Sequence, residues 1–317
     1  MFTRILGRSN IPVSALGLGC WAIGGPFWRG DVPLGWSQVD DHESLRAIHR
    51  ALDRGINFFD TADVYGCGHS ERVLGRALAG KRDQVIVATK FGQTFDEATK
   101  QGTGSNVSPE YIRAACDASL RRLSLDAIDL YQLHVKEVDL AQAKIVRDAL
   151  EDLVAAGKIR WYGWSTDDPA SAREFARGAH CAAIQQRLNL VQGNTDTLAV
   201  CEEFNLASIN RSALALGLLT GKFPPATQFP NDDVRSHRFE WNGEAGKHLQ
   251  KLNALREILT QDGRTLAQAA LAWLWARSEK TIPIPGFKTI AQVEENAGAM
   301  QFGALSDAQM KQIAALI

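Results

Sequence analysis

The stretch Gly55-Ile56-Asn57-Phe58-Phe59-Asp60-Thr61-Ala62-Asp63-Val64-Tyr65-Gly66, followed by Cys67-Gly68-His69-Ser70-Glu71, decides how the rest of the chain is read. Its apolar run from Ile56 to Phe59 has the length and composition of a buried strand. The run stops at Asp60, and Gly66 and Gly68 mark a loop before an apolar helical pattern. Asp60 is thereby predicted at the carboxyl end of a strand. In α/β folds that edge is where ligands bind, so a carboxylate and the phenol of Tyr65, five residues apart, are candidates for chemistry. The same two side chains also suit a helix cap and a packing tyrosine, and the remainder of the chain has to decide between these readings.

Upstream, residues 3–13 read as a hairpin turned at Gly7-Arg8-Ser9-Asn10, and 15–19 as a first core strand. Residues 40–54 place Leu45, Ile48, Ala51 and Leu52 on one helical face, with Gly55 as the stop. Downstream, strands are predicted at 85–89, 128–133, 159–165, 182–186, 207–211 and 281–284. Helices are predicted from Ser108-Pro109 and at 143–156, 169–177, 195–204, 245–260 and 266–276. Eight strand-helix units with strongly apolar strands call for a parallel sheet. The expected fold is α/β, a single (β/α)8 TIM barrel over 1–317 with an N-terminal hairpin and C-terminal helices. An open doubly wound sheet is the runner-up, but no Gly-x-Gly-x-x-Gly joins a strand to a helix. Residues 91–106 and 223–241 are long for barrel loops, and both follow strands, so both are expected as binding loops or lids on the active face.

Composition narrows the partner. With 45% hydrophobic and 22% charged residues, the chain has ample core material, and a net charge of −1 offers no general attraction to nucleic acid or an anionic membrane. Cys20, Cys67, Cys116, Cys181 and Cys201 are odd in number, scattered and never spaced as Cys-x-x-Cys, which predicts reduced thiols in a cytoplasm. Met1-Phe2-Thr3-Arg4 begins no secretory apolar core, and no run approaches the ~18 apolar residues of a membrane span. A small molecule is the expected partner.

In a barrel, residues at the strand ends share one mouth. Asp60 and Tyr65 are then joined there by Lys90 of Val87-Ala88-Thr89-Lys90-Phe91-Gly92 and His134 of Leu130-Tyr131-Gln132-Leu133-His134. A phenol, with a reference pKa of ~10, is a poor acid near neutrality unless a neighbouring cation favours phenolate. Lys90 can supply that charge, Asp60 can hold Lys90, and His134 can hydrogen-bond a substrate oxygen. Such a set delivers a proton to a carbonyl oxygen. It contains no nucleophile-base pair, and His69 near Cys67 makes a weak metal case. Reduction also needs electrons that no side chain here offers, which implies a hydride carrier.

These residues resemble the aldo-keto reductases, NAD(P)H-dependent barrels that interconvert carbonyls and alcohols. The Asp60-Tyr65-Lys90-His134 set matches that family's catalytic four, and the resemblance runs from Thr3-Arg4 to Asn296. It implies Tyr65 as general acid, with Asp60 also close to the nicotinamide ribose. It further implies that Gly19-Cys20-Trp21 lies beneath the nicotinamide and that Ser165, Thr166 and Gln185 grip its carboxamide, Thr166 replacing a usual Asn. Arg211, Ser212, Leu214, Gly217, Leu219, Gly221 and Lys222 fall in the pyrophosphate segment, with Arg211 where many members stack an aromatic ring. Gly286, Lys288, Thr289, Gln292, Glu295 and Asn296 match the adenosine-phosphate site. Lys288 there favours NADPH, and Gln292 in place of a frequent Arg leaves NADH possible. Potassium-channel β subunits are similar too, so a cofactor-sensing partner protein is the alternative.

For the substrate, Trp21, Phe27, Trp28 and Trp36 fall on or near the first loop, and Trp164 ends the fifth strand. Trp21 and Trp28, with Tyr65 and His134, are the substrate candidates, whereas Trp36 and Trp164 read as core. No basic cluster is visible along the sequence. Neutral aldehydes, ketones or polyols are therefore the expected class.

Overall fold

Residues two apart on a strand face the same side, and this alternation builds the interior of the molecule. The computed structural model describes residues 2–193 and 195–316; the expected unit 1–317 includes residues 1, 194 and 317, which lie outside them. Eight strands form one parallel sheet: β1 Leu18–Gly19, β2 Phe58–Asp60, β3 Ile86–Phe91, β4 Ile128–Leu133, β5 Ile159–Ser165, β6 Cys181–Arg187, β7 Ala207–Arg211 and β8 Thr281–Pro283. The sheet closes on itself. Gly17 N–H donates to Pro283 O at 3.0 Å, Gly19 N–H donates to Pro285 O at 3.0 Å, and Gly19 pairs in parallel with Gly286. This is the (β/α)8 barrel.

Inside it, Phe58, Ala88, Leu130, Ala183, Ile209 and Ile282 form one apolar layer, completed by Leu6 and Val13 from the N-terminal hairpin of Thr3–Ile5 and Pro12–Ser14. That hairpin fills the amino-terminal end of the barrel. It docks closely, since a Cβ on Gly7, whose φ is +52°, would come within 2.1 Å of Ala182 O. Two residues further along five of the strands, the inward positions turn polar: Asp60, Lys90, Gln132, Gln185 and Arg211. The switch from Phe58, Ala88 and Leu130 to Asp60, Lys90 and Gln132 separates packing from chemistry.

The helices wrap the outside, with α1 at Asp41–Asp53, α2 His69–Ala77, α3 Pro109–Leu123, α4 Leu140–Ala155, α5 Pro169–Ala176, α6 Asp196–Glu203, α7 Glu244–Thr260, α8 Leu266–Arg277, α9 Ile290–Phe302 and α10 Asp307–Ala314. Asp40 accepts from His42 N–H at 2.8 Å to start α1, and Ser108 accepts from Tyr111 N–H at 3.3 Å to start α3, with Pro109 in its first turn. Outward-facing Phe59 packs under α1 and α2 in the same core as Ile48 and Leu74. All five cysteines are buried and unbridged. Among the described residues no helix is long and apolar enough to cross a membrane.

Two expectations shift. Asp60 ends β2 as expected, but Lys90 lies within β3 rather than past a strand closing at 89, and β1 is shorter than 15–19. Residues 91–106 are not irregular: Gln93–Asp96 and Gln101–Ser105 form an antiparallel hairpin that pairs with Trp28–Arg29, itself paired with Val32–Pro33. Residues 223–241, by contrast, contain no helix or strand.

Because Leu6 fills the layer that closes the barrel, Leu6→Ala is expected to lower the unfolding free energy by about 2–5 kcal/mol, read from urea denaturation. A change below about 0.5 kcal/mol would remove the hairpin from the core.

Candidate active site

The polar layer is organised by one buried ammonium. Lys90 Nζ donates to Asp60 Oδ1 at 2.5 Å, to Thr61 O at 2.8 Å and to Tyr65 Oη at 3.2 Å, with the Lys90 and Asp60 side chains 0% and 2% exposed. Adjacent strands β2 and β3 carry the ion pair, and the β2–α2 loop turns Tyr65 back over it. Asp60 Oδ2 accepts from Gln132 Nε2 at 2.9 Å and Gln185 Nε2 at 2.8 Å, so β4 and β6 hold the carboxylate from the other side. Every oxygen of the buried anion is met.

Burial works to lower the Lys90 pKa, but Asp60 and Tyr65 outweigh it and leave the ammonium above its ordinary value. The Tyr65 phenol is raised, because burial outweighs the opposing charge of Lys90. The proximity of Lys90 thus does not produce a standing phenolate. His134, just past β4, meets Tyr65 edge-on at 5.7 Å between ring centroids. Burial, then the charges of Lys90, Arg211 and Lys136, pushes its pKa well below the usual histidine value, so the imidazole is neutral.

A cavity of about 500 Å³ opens above this floor. Near the four residues it is lined by Trp21, which stacks on Tyr65 at 5.9 Å, and by Phe27, Leu34, Trp36 and Val64. It continues past Gly19, Ser165, Gln185 and Arg211 along Ser212, Leu214, Gly217 and Lys222. Its far end is lined by Gly286, Lys288, Gln292, Glu295 and Asn296. Ser212, Ala215, Leu216 and Gly217 all have positive φ, a backbone turned into a concave loop of the kind that receives anions. Residues 223–241 cover this run. The buried Asp233 receives two hydrogen bonds from Arg235 at 2.8 Å, Val234 N–H donates to Gly35 O, and the Arg235 guanidinium lies 4.6 Å from the Trp36 ring centre.

Several residues expected at the site lie off the cavity. Cys20 is buried, its carbonyl receiving Ser70 Oγ; Thr166 Oγ1 accepts from Asp168 N–H; Leu219 is in the core. Gly221 ends a 3₁₀ turn and Thr289 caps α9. Trp28, a substrate candidate, belongs to the outer four-stranded sheet, whereas Trp36, read as core, lines the cavity. Trp164 is core, as expected. Arg211 is held by Asp167 at 2.5 Å. Sequence reasoning missed Gln132, although a polar residue two positions from Leu130 on an inward face is a signal. It also missed Lys136, Arg187, Arg235 and Arg238, all of which line the cavity.

The fold is shared with known proteins. The model of the Aldo/keto reductase family matches residues 15–317. The chain belongs to the aldo/keto reductase family. It is therefore an oxidoreductase of the carbonyl and alcohol type. The chain is 32% identical over 98% of its length, and 90% of the relative's, to the aldo-keto reductase yakc [NADP(+)] of Schizosaccharomyces pombe. Among solved structures it is similar to the glycerol dehydrogenase AKR11B4 of Gluconobacter oxydans, at 34% identity and TM-score 0.85 over 99% of this chain and 94% of that one. An aldo-keto reductase from Klebsiella pneumoniae in complex with NADPH is similar at 26% identity and TM-score 0.73, over 100% and 95%.

Removing one member of the buried pair strands the other. Asp60→Ala is expected to destabilise the fold by about 3–5 kcal/mol, while Asp60→Ala combined with Lys90→Met recovers most of the loss. A double-mutant cycle by urea unfolding measures the coupling; strictly additive effects would refute it.

Proposed function

We propose that the protein catalyses NADPH-dependent reduction of aldehydes or ketones to alcohols, and the reverse oxidation, with Asp60, Tyr65, Lys90 and His134 as the catalytic residues. The observation that carries this reading is the Lys90 ammonium, bonded at once to Asp60 and to the Tyr65 phenol beneath the cavity. Tyr65 keeps its proton through neutral pH and gives it to the carbonyl oxygen as negative charge develops there. Lys90 stabilises the phenolate left behind. Asp60, braced by Gln132 and Gln185, keeps Lys90 charged and aimed. Neutral His134 hydrogen-bonds the same oxygen without adding a second cation. When bound, NADPH supplies the hydride.

The residues available fit that cofactor. The Asn296 Nδ2 is buried on the cavity wall with no hydrogen-bond partner among the described residues. A Cβ on Gly286 would meet nothing nearer than Gly19 O at 3.9 Å and would project into the cavity, so glycine there keeps the space open. Gly19, Trp21, Ser165 and Gln185 would flank the nicotinamide, and the positive-φ loop from Ser212 to Gly217, with Lys222, would hold the diphosphate. Lys288, at the capped start of α9 beside Gln292 and Glu295, would hold the 2′-phosphate, with NADH accepted less well. Five unbridged thiols support a reducing compartment, the cytoplasm.

Tyr65→Phe is expected to cut carbonyl reduction by about 10²–10⁴-fold while NADPH still quenches protein fluorescence. Wild-type rates in that variant would exclude Tyr65 as the acid. Since the phenol's pKa is raised, reduction should stay level across neutrality and decline only above about pH 10, whereas alcohol oxidation, which needs the phenolate, should rise with pH. Lys288→Ala should weaken NADPH about tenfold and NADH much less; equal losses by fluorescence titration would end that assignment.

A further inference from the structure

Sequence reading gave no basic cluster, yet the fold assembles one. Lys136 follows His134 by two residues, Arg187 ends β6, Arg211 ends β7, and Arg238 comes from the covering segment 223–241. All four line the cavity, and the charges of Arg211 and Lys136 act on His134 at its floor. Arg187 and Arg211 are register partners on adjacent strands, and the Arg238 guanidinium lies 5.7 Å from the ring centre of Trp21, which stacks on Tyr65.

One carboxylate faces this group. Asp167 takes Arg211 through one oxygen and the main-chain N–H of Arg187 through the other. Among the described residues, the side chains of Lys136, Arg187 and Arg238 have no ion-pair partner within 4.0 Å. The acids on the cavity wall, Asp60 and Glu295, are already paired with Lys90 and Lys222. Burial, and then the charges of Arg187 and Arg211, lowers the Arg238 pKa; burial, Arg211 and Arg187 do the same to Lys136. Four cations facing a single carboxylate cost stability, and sites of function are where such a cost is retained. The cofactor reading does not consume them, since Lys222 and Lys288 serve its phosphates further along the cavity.

We infer that the preferred carbonyl substrate carries an anionic group, a carboxylate or a phosphate ester, received by Lys136, Arg187 and Arg238 while its carbonyl lies at Tyr65 and His134. This rests on the carbonyl-reductase reading of the site. Trp21, Phe27 and Leu34 then form the apolar wall along the carbon chain between the two ends. A neutral carbonyl would leave the three cations unmet.

The test compares matched pairs with saturating NADPH: 4-oxobutanoate against butanal, and glyceraldehyde 3-phosphate against glyceraldehyde. At least one anionic member should have kcat/KM about tenfold or more above its neutral partner. The advantage should sit in KM and shrink as salt is raised; which pair shows it tells carboxylate from phosphate. In Lys136→Glu/Arg238→Glu the anionic-to-neutral ratio should fall at least tenfold. In parallel, tryptophan fluorescence of the NADP⁺-loaded protein is titrated with succinate and with inorganic phosphate. Turnover of neutral members with no anionic advantage overturns the inference and leaves carbonyl reduction intact. No turnover of any member, with saturable anion quenching lost in the double variant, supports the anion site and sinks the reductase reading. Neither turnover nor quenching ends both.

Discussion

A lysine ammonium with no contact with water is the constraint around which this barrel is arranged. Taking Lys90 and Asp60 out of solvent costs several kcal/mol per ion, and the cost is offset only if every remaining donor and acceptor is satisfied. The fold does this from four strands, with the Thr61 carbonyl, the Tyr65 phenol, Gln132 and Gln185 all converging on the pair. Few alternative packings satisfy all of these at once, so the pair specifies geometry more than it adds stability. The apolar layer of Phe58, Ala88 and Leu130 beneath it keeps the local dielectric low, which strengthens each of these bonds.

The same layering explains the division of labour between scaffold and loops. Strands fix Asp60, Lys90, Gln132 and Gln185 to within the precision of a hydrogen-bonded sheet, while Tyr65, His134 and the covering segment 223–241 come from connections that follow strands. That segment is anchored by the buried Asp233 and Val234, by the Val234–Gly35 main-chain bond, and by Phe239 and Trp241 packed on the core. It lacks the helix or strand ladder of the rest of the site and is held by side chains instead.

Much of this was legible in the sequence. Apolar strand runs ending in Asp60, Lys90 and His134 are strong local signals, and caps such as Ser108-Pro109 mark their own helices. Ligand contacts that depend on side-chain direction were less legible. Cys20 and Trp28 sit beside cavity residues in the chain but point elsewhere, and one position of rotation decides which neighbour faces the opening. The hairpin at Gln93–Asp96 and Gln101–Ser105 was missed because its glycine-rich, polar second strand lacks apolar alternation. The group of Lys136, Arg187, Arg211 and Arg238 was invisible for a different reason. Its members come from four separate segments, and only closure of the barrel gathers them.

The placement of the cysteines bears on chemical self-defence. Thiolates add readily to electrophilic carbonyls, and a catalyst that concentrates such compounds is exposed to attack by its own reactants. Here burial pushes the Cys67 thiol up to about 11, the Cys116 and Cys181 thiols up to about 12, and those of Cys20 and Cys201 higher still. Cys20 stands one residue from Trp21, yet its sulfur is sealed away and held in the inert S–H form. The residues lining the opening present a hydroxyl, an imidazole, indoles and charged amines, but no cysteine sulfur for a carbonyl compound to meet.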